Sequence, residues 1–243
     1  MSRKMPDTAM VLAAGLGKRL RPITDTVPKP LVPIAGRTLI DRGLDALAEA
    51  GVTRAVVNIH HLGEQVARHL AGRRTPTILV SDERERLLDS AGGIVKALPL
   101  LGGSPFFILN ADTFWIDTGG SNLARLGRTW DPSRMDILLL VTDPAATTGH
   151  DGGTDFLLDA EGRLSRARGN PDGVIYAGAA IVDPALFAGA TAEPHSLNRY
   201  FDIAIGRGRL FGHRLEGHWI TVGTPDAIPL AEAAVAGVGA AAS

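Results

Sequence analysis

The chain has no cysteine. Disulfides, thiolate metal sites and a cysteine nucleophile are therefore excluded, and the absence fits a reducing compartment. Aromatic residues amount to 5% and the formal net charge is −1. A nucleic-acid module is thereby disfavoured, because such modules need a basic surface and rings on which bases stack. An anionic ligand must instead be held by locally placed cations and backbone N–H groups. Long hydrophobic runs are also missing, and none approaches the ~20 residues that cross a bilayer. The N-terminus sets basic residues before an apolar stretch, as a secretory signal does. That stretch, residues 9–15, is short, and Lys18, Arg19 and Arg21 follow at once. It reads as a buried strand, and a cytoplasmic location is expected.

What the chain does have is enough material for a sizeable core. It has 243 residues, of which 45% are hydrophobic and 21% charged. Continuous apolar runs occur at 10–13 (MVLA), 54–60 (RAVVNIH), 77–80 (TILV) and 106–109 (FFIL). Such runs suit strands buried on both faces of a parallel sheet. Helical patterns lie between them. Thr38 is placed to cap a helix with Asp41 three residues on, Ile40, Leu44 and Leu47 share a face, and Gly51 is placed to end it. Residues 62–71 and 91–98 read as two more helices. Strand and helix in alternation predict a doubly wound α/β fold with a mostly parallel, mixed sheet.

The second half is less regular. Residues 136–142, 156–158, 163–167, 174–182, 209–214 and 219–222 read as strands, with the turn DAEGR between the second and third. Thr224 and Pro225 read as a cap and first position of a last helix, whose Ala/Gly tail after Ala231 would fray. This half is expected to form a small lobe over the C-terminal edge of the sheet, the change of character falling near residue 140.

The most informative stretch is Leu12-Ala13-Ala14-Gly15-Leu16-Gly17-Lys18-Arg19-Leu20-Arg21-Pro22, followed by Pro28-Lys29-Pro30-Leu31. It is not a dinucleotide fingerprint, because Leu20 stands where the third glycine belongs. It is not a P-loop, because Leu12 and Arg19 replace the required glycine and hydroxyl residue. Taken alone, two glycines after a strand mean a tight turn. Here Ala13, Ala14, Gly15 and Gly17 also let backbone approach a base and a polyphosphate closely. Arg19 can grip phosphate oxygens in bidentate fashion, with Lys18 beside it. Lys29 stands between Pro28 and Pro30, which bias it toward an extended, stiffly mounted conformation. Further on, FILNAD places Asp112 at the C-terminal end of a buried strand, where α/β sheets bind ligands. Ser90 is placed to cap the helix that follows at 91–98, beside Gly92 and Gly93. His60 and His61 invite a metal reading but lack a matching third ligand, so a surface turn is favoured. A Rossmann oxidoreductase is the competing enzyme class, and it would need an acid where Asn58 and His60 stand.

The pattern L-A-A-G-x-G-x-R-L-x-P with a downstream P-K-P-L resembles the signature of the sugar-1-phosphate nucleotidyltransferases, over about residues 10–228. Without an appended β-helix domain, the chain resembles the N-acetylmuramate α-1-phosphate uridylyltransferases within that family, with mannose-1-phosphate guanylyltransferases as the alternative. The resemblance implies one domain over 1–243, with a nucleotide-binding part to about 140 and a sugar-binding part from 141. It implies a nucleoside triphosphate, with UTP preferred, and a sugar 1-phosphate as partners, no nucleic acid or membrane, and a monomer or homodimer. Arg19, Lys29 and Asp112 would be catalytic, with Mg²⁺ on Asp112. The family's second metal ligand lies in a motif like W-x-D-V-G-T. Here it reads Trp219-Ile220-Thr221-Val222-Gly223-Thr224, with Thr221 at the acidic position. Thr221 through water, Asp202, or Asp112 with the phosphates alone remain the options, and the last is favoured. Glu83 and Gly92 would border the base, and Lys18 would join the loop residues on the nucleotide. Asn110, Asn170, Tyr176 and Gly178 would contact the sugar, with Asp155 and His195 as weaker candidates. Tyr176 has a plain alternative in core packing. Thr221 also keeps open a non-catalytic regulatory subunit on the same fold.

Overall fold

A computed structural model describes residues 5–241; residues 1–4, with the N-terminal basic residues, and 242–243 lie outside it. In chain order the strands are β1 (Thr8–Leu12), β2 (Pro33–Ile34), β3 (Arg37–Thr38), β4 (Arg54–Ile59), β5 (Thr77–Asp82), β6 (Phe106–Asn110) and β7 (Thr113–Asp117). They continue with β8 (Ile137–Thr142), β9 (Thr147–Thr148), β10 (Phe156–Leu158), β11 (Leu164–Arg166), β12 (Ile175–Val182), β13 (Leu210–Arg214) and β14 (Gly217–Thr221). The helices are α1 (Leu39–Glu49), α2 (Gly63–Leu70), α3 (Asp89–Leu101), α4 (Asn122–Thr129), α5 (Asn198–Gly206) and α6 (Ala227–Ala241).

Seven strands form the central sheet in the order β13-β8-β12-β6-β1-β4-β5. Neighbours in it run parallel except β12, which is antiparallel to both β6 and β8. The expected mostly parallel, mixed α/β sheet is thus what the chain forms. Side chains alternate between two cores, one on each face. Ala9, Val11, Val57, Phe107 and Leu109 enter one, and Met10, Val56, Phe106 and Ile108 enter the other. That is why these strands read as unbroken apolar runs. A third, smaller core joins Leu20, Val32, Ile34, Phe114, Ile220 and Val222 beneath the loop that follows β1.

Helix α1 forms as its sequence dictates. The Thr38 hydroxyl accepts from the Asp41 N–H at 3.2 Å and donates to the Asp41 carboxylate at 2.7 Å. Leu39, Ile40, Leu44 and Leu47 are its buried face.

Several expectations need correction. Helix α3 is longer than 91–98, and Ser90 does not cap it: the Ser90 hydroxyl accepts from the Leu197 N–H at 2.9 Å instead. Lys29 is not extended; it opens a short 3₁₀ turn, closed by the Leu31 N–H on the Pro28 carbonyl at 2.8 Å. The last helix starts at Ala227, not Pro225, because residues 224–226 form a turn first, with Ala227 N–H on the Thr224 carbonyl at 3.1 Å. Strand β7 and helices α4 and α5 were not expected. Residue 140 lies inside β8, a strand of the central sheet, so no boundary falls there.

Candidate active site

The sheet order itself locates a crevice. From β1 the chain passes to β4 and β5 on one side, then crosses to β6 on the other. The C-terminal ends of β1 and β6 therefore mark the point where connections diverge, and α/β sheets take ligands there. Leu12 and Asn110, the last residues of these strands, are partners in register. A cleft of about 510 Å³ opens between them. Ala13, Ala14 and Gly15 of the glycine loop line it, together with Lys29, Asn58, Asp89, Ser90, Asn110 and Asp112.

Three backbone ties set Asp112 in place. The Ala111 N–H bonds the Leu12 carbonyl at 3.2 Å, and the Asp112 carbonyl accepts from the Val222 N–H at 3.2 Å. Strand β7 then leaves at once and pairs with β14, Thr113 facing Thr221. The late Trp219–Thr224 motif is thereby brought against Asp112. The Lys29 ammonium donates to the Asp112 carboxylate at 2.7 Å, across 83 residues of sequence. The lysine side chain is 12% exposed and the aspartate 38%, so the acid keeps an open side.

The glycine loop is shaped from within. Gly17 has φ +61, and a Cβ there would fall 2.8 Å from Thr24 and 3.3 Å from the Lys29 Cβ. Only glycine takes that conformation against that neighbour without strain. Lys18 and Arg19 are exposed on the 3₁₀ turn that follows. The Arg19 guanidinium lies over Gly223, where a Cβ would sit 3.3 Å from Nη1. Arg19 thus belongs to the rim formed by the loop and the 219–224 motif, beside the cleft.

A buried polar relay holds the loop from below, and sequence reasoning did not find its centre. The Asn58 side chain accepts from the Ala13 N–H at 2.7 Å and donates to Glu83 at 2.8 Å. The other Glu83 oxygen accepts from the Leu88 N–H at 3.1 Å. Both residues are almost wholly buried, Asn58 at 2% and Glu83 at 1%. The signal was a lone amide inside the apolar run RAVVNI. Gly92 and Gly93 permit this packing. A Cβ on Gly93 would come within 2.6 Å of Glu83, and one on Gly92 within 2.2 Å of the Glu193 carbonyl. Glu83 and Gly92 therefore stand behind the wall of the cleft, with their close contacts made to protein. His60 and His61 bond the carbonyls of Glu83 and Thr24, each at 2.7 Å, and so fasten loops as the turn reading expects.

A second recess of about 240 Å³ shares Leu12, Ser90 and Asn110 with the cleft. Tyr176, Asp155, Arg166 and Asn198 also line it. Tyr176 is packed edge-on to Phe201 at 5.6 Å, and its hydroxyl is buried with no hydrogen-bond partner. Burial, with Asp112 and Asp155 adding to it, pushes this phenol far up, so it stays a donor. Gly178 has φ +82 at an irregularity in the β12–β8 pairing, with Asn110 and Thr113 directly against it. Asn110, Tyr176 and Gly178 are thus brought together. Asn170 is not: it sits exposed in a turn, its side chain accepting from Asp172 N–H at 2.9 Å. His195 bonds Tyr200 at 3.1 Å, outside both hollows.

No cluster of three or more His, Cys, Asp or Glu side chains suited to a metal occurs among the described residues. Asp202 lies on α5, paired with Arg166 at 2.8 Å, and lines neither hollow. What stands at the cleft is the Asp112 carboxylate; Thr221, in register with Thr113 on the paired strand, is its neighbour across the ladder. Mg²⁺ takes such donors, and it needs one or two carboxylates when phosphate oxygens and water complete its shell.

Comparison with known proteins agrees with this geometry. Residues 8–143 match the Nucleotidyl transferase family. The chain is 41% identical over 237 residues to the N-acetylmuramate alpha-1-phosphate uridylyltransferase of Caulobacter vibrioides, covering 95% of this chain and 98% of that one. It is 36% identical to the enzyme of the same name from Neisseria meningitidis serogroup B, over 89% of this chain and 93% of that one. In fold it is similar to a UDP-glucose pyrophosphorylase complexed with UDP-glucose, with a TM-score of 0.77 and 18% identity over 96% of this chain and 100% of that one. The cleft at the β1–β6 switch point and these likenesses together make one statement: the chain belongs to the nucleotidyl transferase family, among its sugar-1-phosphate nucleotidyltransferases.

Proposed function

We propose that the chain joins UTP to N-acetylmuramate α-1-phosphate, forming the UDP-sugar and releasing pyrophosphate. The observation that carries this reading is the convergence of Lys29 and Asp112, 2.7 Å apart, at the mouth of the glycine loop. The sugar specificity rests on the likeness to the Caulobacter and Neisseria enzymes.

A phosphate oxygen of the sugar 1-phosphate attacks the α-phosphorus of the triphosphate. The bond from that phosphorus to the bridging oxygen breaks, and pyrophosphate leaves. The nucleophile is already an anion, so the protein needs no general base. Its work is positioning and charge neutralisation. The Ala13–Gly17 backbone lies along the nucleotide, with its first N–H fixed by Asn58. Lys29 holds the α-phosphate and the incoming phosphate. Arg19 and Lys18, on the rim, hold the outer phosphates. Asp112 would hold Mg²⁺, which would supply positive charge to offset that on the leaving pyrophosphate. Asn110, Tyr176 and Gly178 face the sugar; Glu83 and Gly92 act on base and loop through the wall they support. Asn170 would reach a ligand only from the exposed turn.

We place the reaction in the cytoplasm, where nucleotide and phosphosugar are found together, by a monomer or homodimer. No helix of the described residues is long and apolar enough to cross a membrane. The test is pyrophosphate release from each nucleoside triphosphate with a panel of sugar 1-phosphates. Turnover with UTP and N-acetylmuramate 1-phosphate above the other pairs is expected. Preference for GTP with mannose 1-phosphate would replace the substrate pair. No turnover with any pair would favour a non-catalytic subunit.

A further inference from the structure

The recess beside the cleft holds a cation that the reaction does not use. Arg166 is the basic side chain among its lining residues, whereas Lys29 lines the larger cleft. The guanidinium is held rigidly. Its Nε donates to Asp202 at 2.8 Å, one Nη to the Asn198 side chain at 3.0 Å, and the other Nη to the Asn198 carbonyl at 3.1 Å. Its Cζ lies 4.9 Å from the centre of the Phe156 ring and 5.9 Å from that of Phe201. Each terminal nitrogen keeps one N–H without a partner among the described residues. These remaining N–H groups can donate to an anion that enters the recess, as charge-assisted bonds. On the wall of the same recess, the buried Tyr176 hydroxyl is a second donor still without an acceptor.

Charge bookkeeping then decides what the recess takes. The phosphates of both substrates are met in the cleft, at Lys29 and Asp112 with its metal. A neutral hexose seated in the recess would offer Arg166 only hydroxyls. It would also leave the guanidinium, 28% exposed at the recess, balanced by Asp202 alone, itself mostly in solvent. A sugar carrying its own carboxylate supplies the missing anion. N-acetylmuramate differs from N-acetylglucosamine by such a group, a lactyl ether. The acid that lines the recess, Asp155, has one oxygen engaged by the Tyr176 N–H at 2.9 Å, and its charge steers a second carboxylate away from itself toward Arg166. We propose that Arg166, braced by Asp202 and Asn198, is the specificity-determining residue that recognises a carboxylate on the sugar. This rests on the substrate class proposed above and names the side chain that enforces it.

The test compares N-acetylmuramate 1-phosphate with N-acetylglucosamine 1-phosphate, the same ring without the lactyl group, in the wild type, Arg166→Met and Arg166→Lys, with UTP throughout. In Arg166→Met the KM for the muramate substrate should rise on the order of tenfold to a hundredfold, the range for losing a hydrogen bond to a charged group. Its kcat should move less. N-acetylglucosamine 1-phosphate, followed as substrate or as competitive inhibitor, should be unaffected, which also reports that the variant is folded. Arg166→Lys should recover part of the loss, since it keeps the charge without the fork. Equal losses for both sugars would make Arg166 merely structural and overturn the proposal. So would an unchanged preference in Arg166→Met when the wild type prefers the muramate. A wild type that rejects the muramate and accepts a neutral sugar would instead overturn the substrate reading, and the role of Arg166 with it.

Discussion

Lys29 and Asp112 show what a single residue can and cannot announce. Two prolines around a lysine and an acid at the end of an apolar strand were both visible in sequence. That they would meet at 2.7 Å was not, because the contact spans 83 residues. Their pairing means each prevents the other from being a lone desolvated charge. Replacing Lys29 with Ala should cost on the order of 3 kcal/mol in the transition state, a hundredfold or more in kcat/KM. Steady-state turnover near wild type would remove Lys29 from the mechanism. Asn58 enters the sequence reading only as the amide where a dinucleotide site would need an acid; its bonds to Ala13 and Glu83 show its use. Thr221 was legible as a departure, and its strand end lies opposite Thr113, the residue after Asp112. Thr221→Asp would set a second carboxylate there. The variant should bind Mn²⁺ in the absence of nucleotide roughly tenfold more tightly than wild type, as added ligand charge does. Electron paramagnetic resonance of free Mn²⁺ checks this, and equal affinities would place position 221 away from the metal.

At the scale of elements, period and capping carried the legible part. The buried strands and α1 follow directly from apolar runs and the Thr38–Asp41 pair. Strand β7 escaped because it begins one residue after Asp112 and alternates weakly. Its edges are set by pairing with β14, which no local pattern encodes. Helix α3 outgrew its prediction because Asp89 and Ser90 join it without a cap. Strand β13 carries a consequence for pH. His213, next to α4, has Nδ1 3.3 Å from the Thr129 hydroxyl and a buried, unpartnered Nε2. Burial, with Arg125 nearby, holds its pKa below the ordinary imidazole value of 6.5. The unfolded chain therefore takes up this proton at a higher pH than the folded one. Stability contributed by the neutral ring is complete above the unfolded value and declines as pH falls below it toward the folded value. Urea denaturation at stepped pH should show this acid limb, and His213→Gln should flatten it. An identical limb in the variant would assign the loss to other groups.

For the molecule as a whole, alternation foretold an α/β sheet, and the missing information was where the second half of the chain joins it. Strand β12 comes from the irregular second half, yet it lies antiparallel between β6 and β8 in the centre of the sheet. A strand that inserts between earlier ones leaves no mark in its own sequence, since it is apolar either way. The insertion sets Tyr176 and Gly178 next to Asn110, and so seats one hollow against the other. Leu12, Ser90 and Asn110 belong to both. Two guests divided by a single party wall can react directly, without a covalent go-between, when both are present at once. Initial rates against either substrate should accordingly give intersecting double-reciprocal lines. Labelled pyrophosphate should not exchange into UTP until the phosphosugar is supplied. Parallel lines would mean that the hollows are visited in turn.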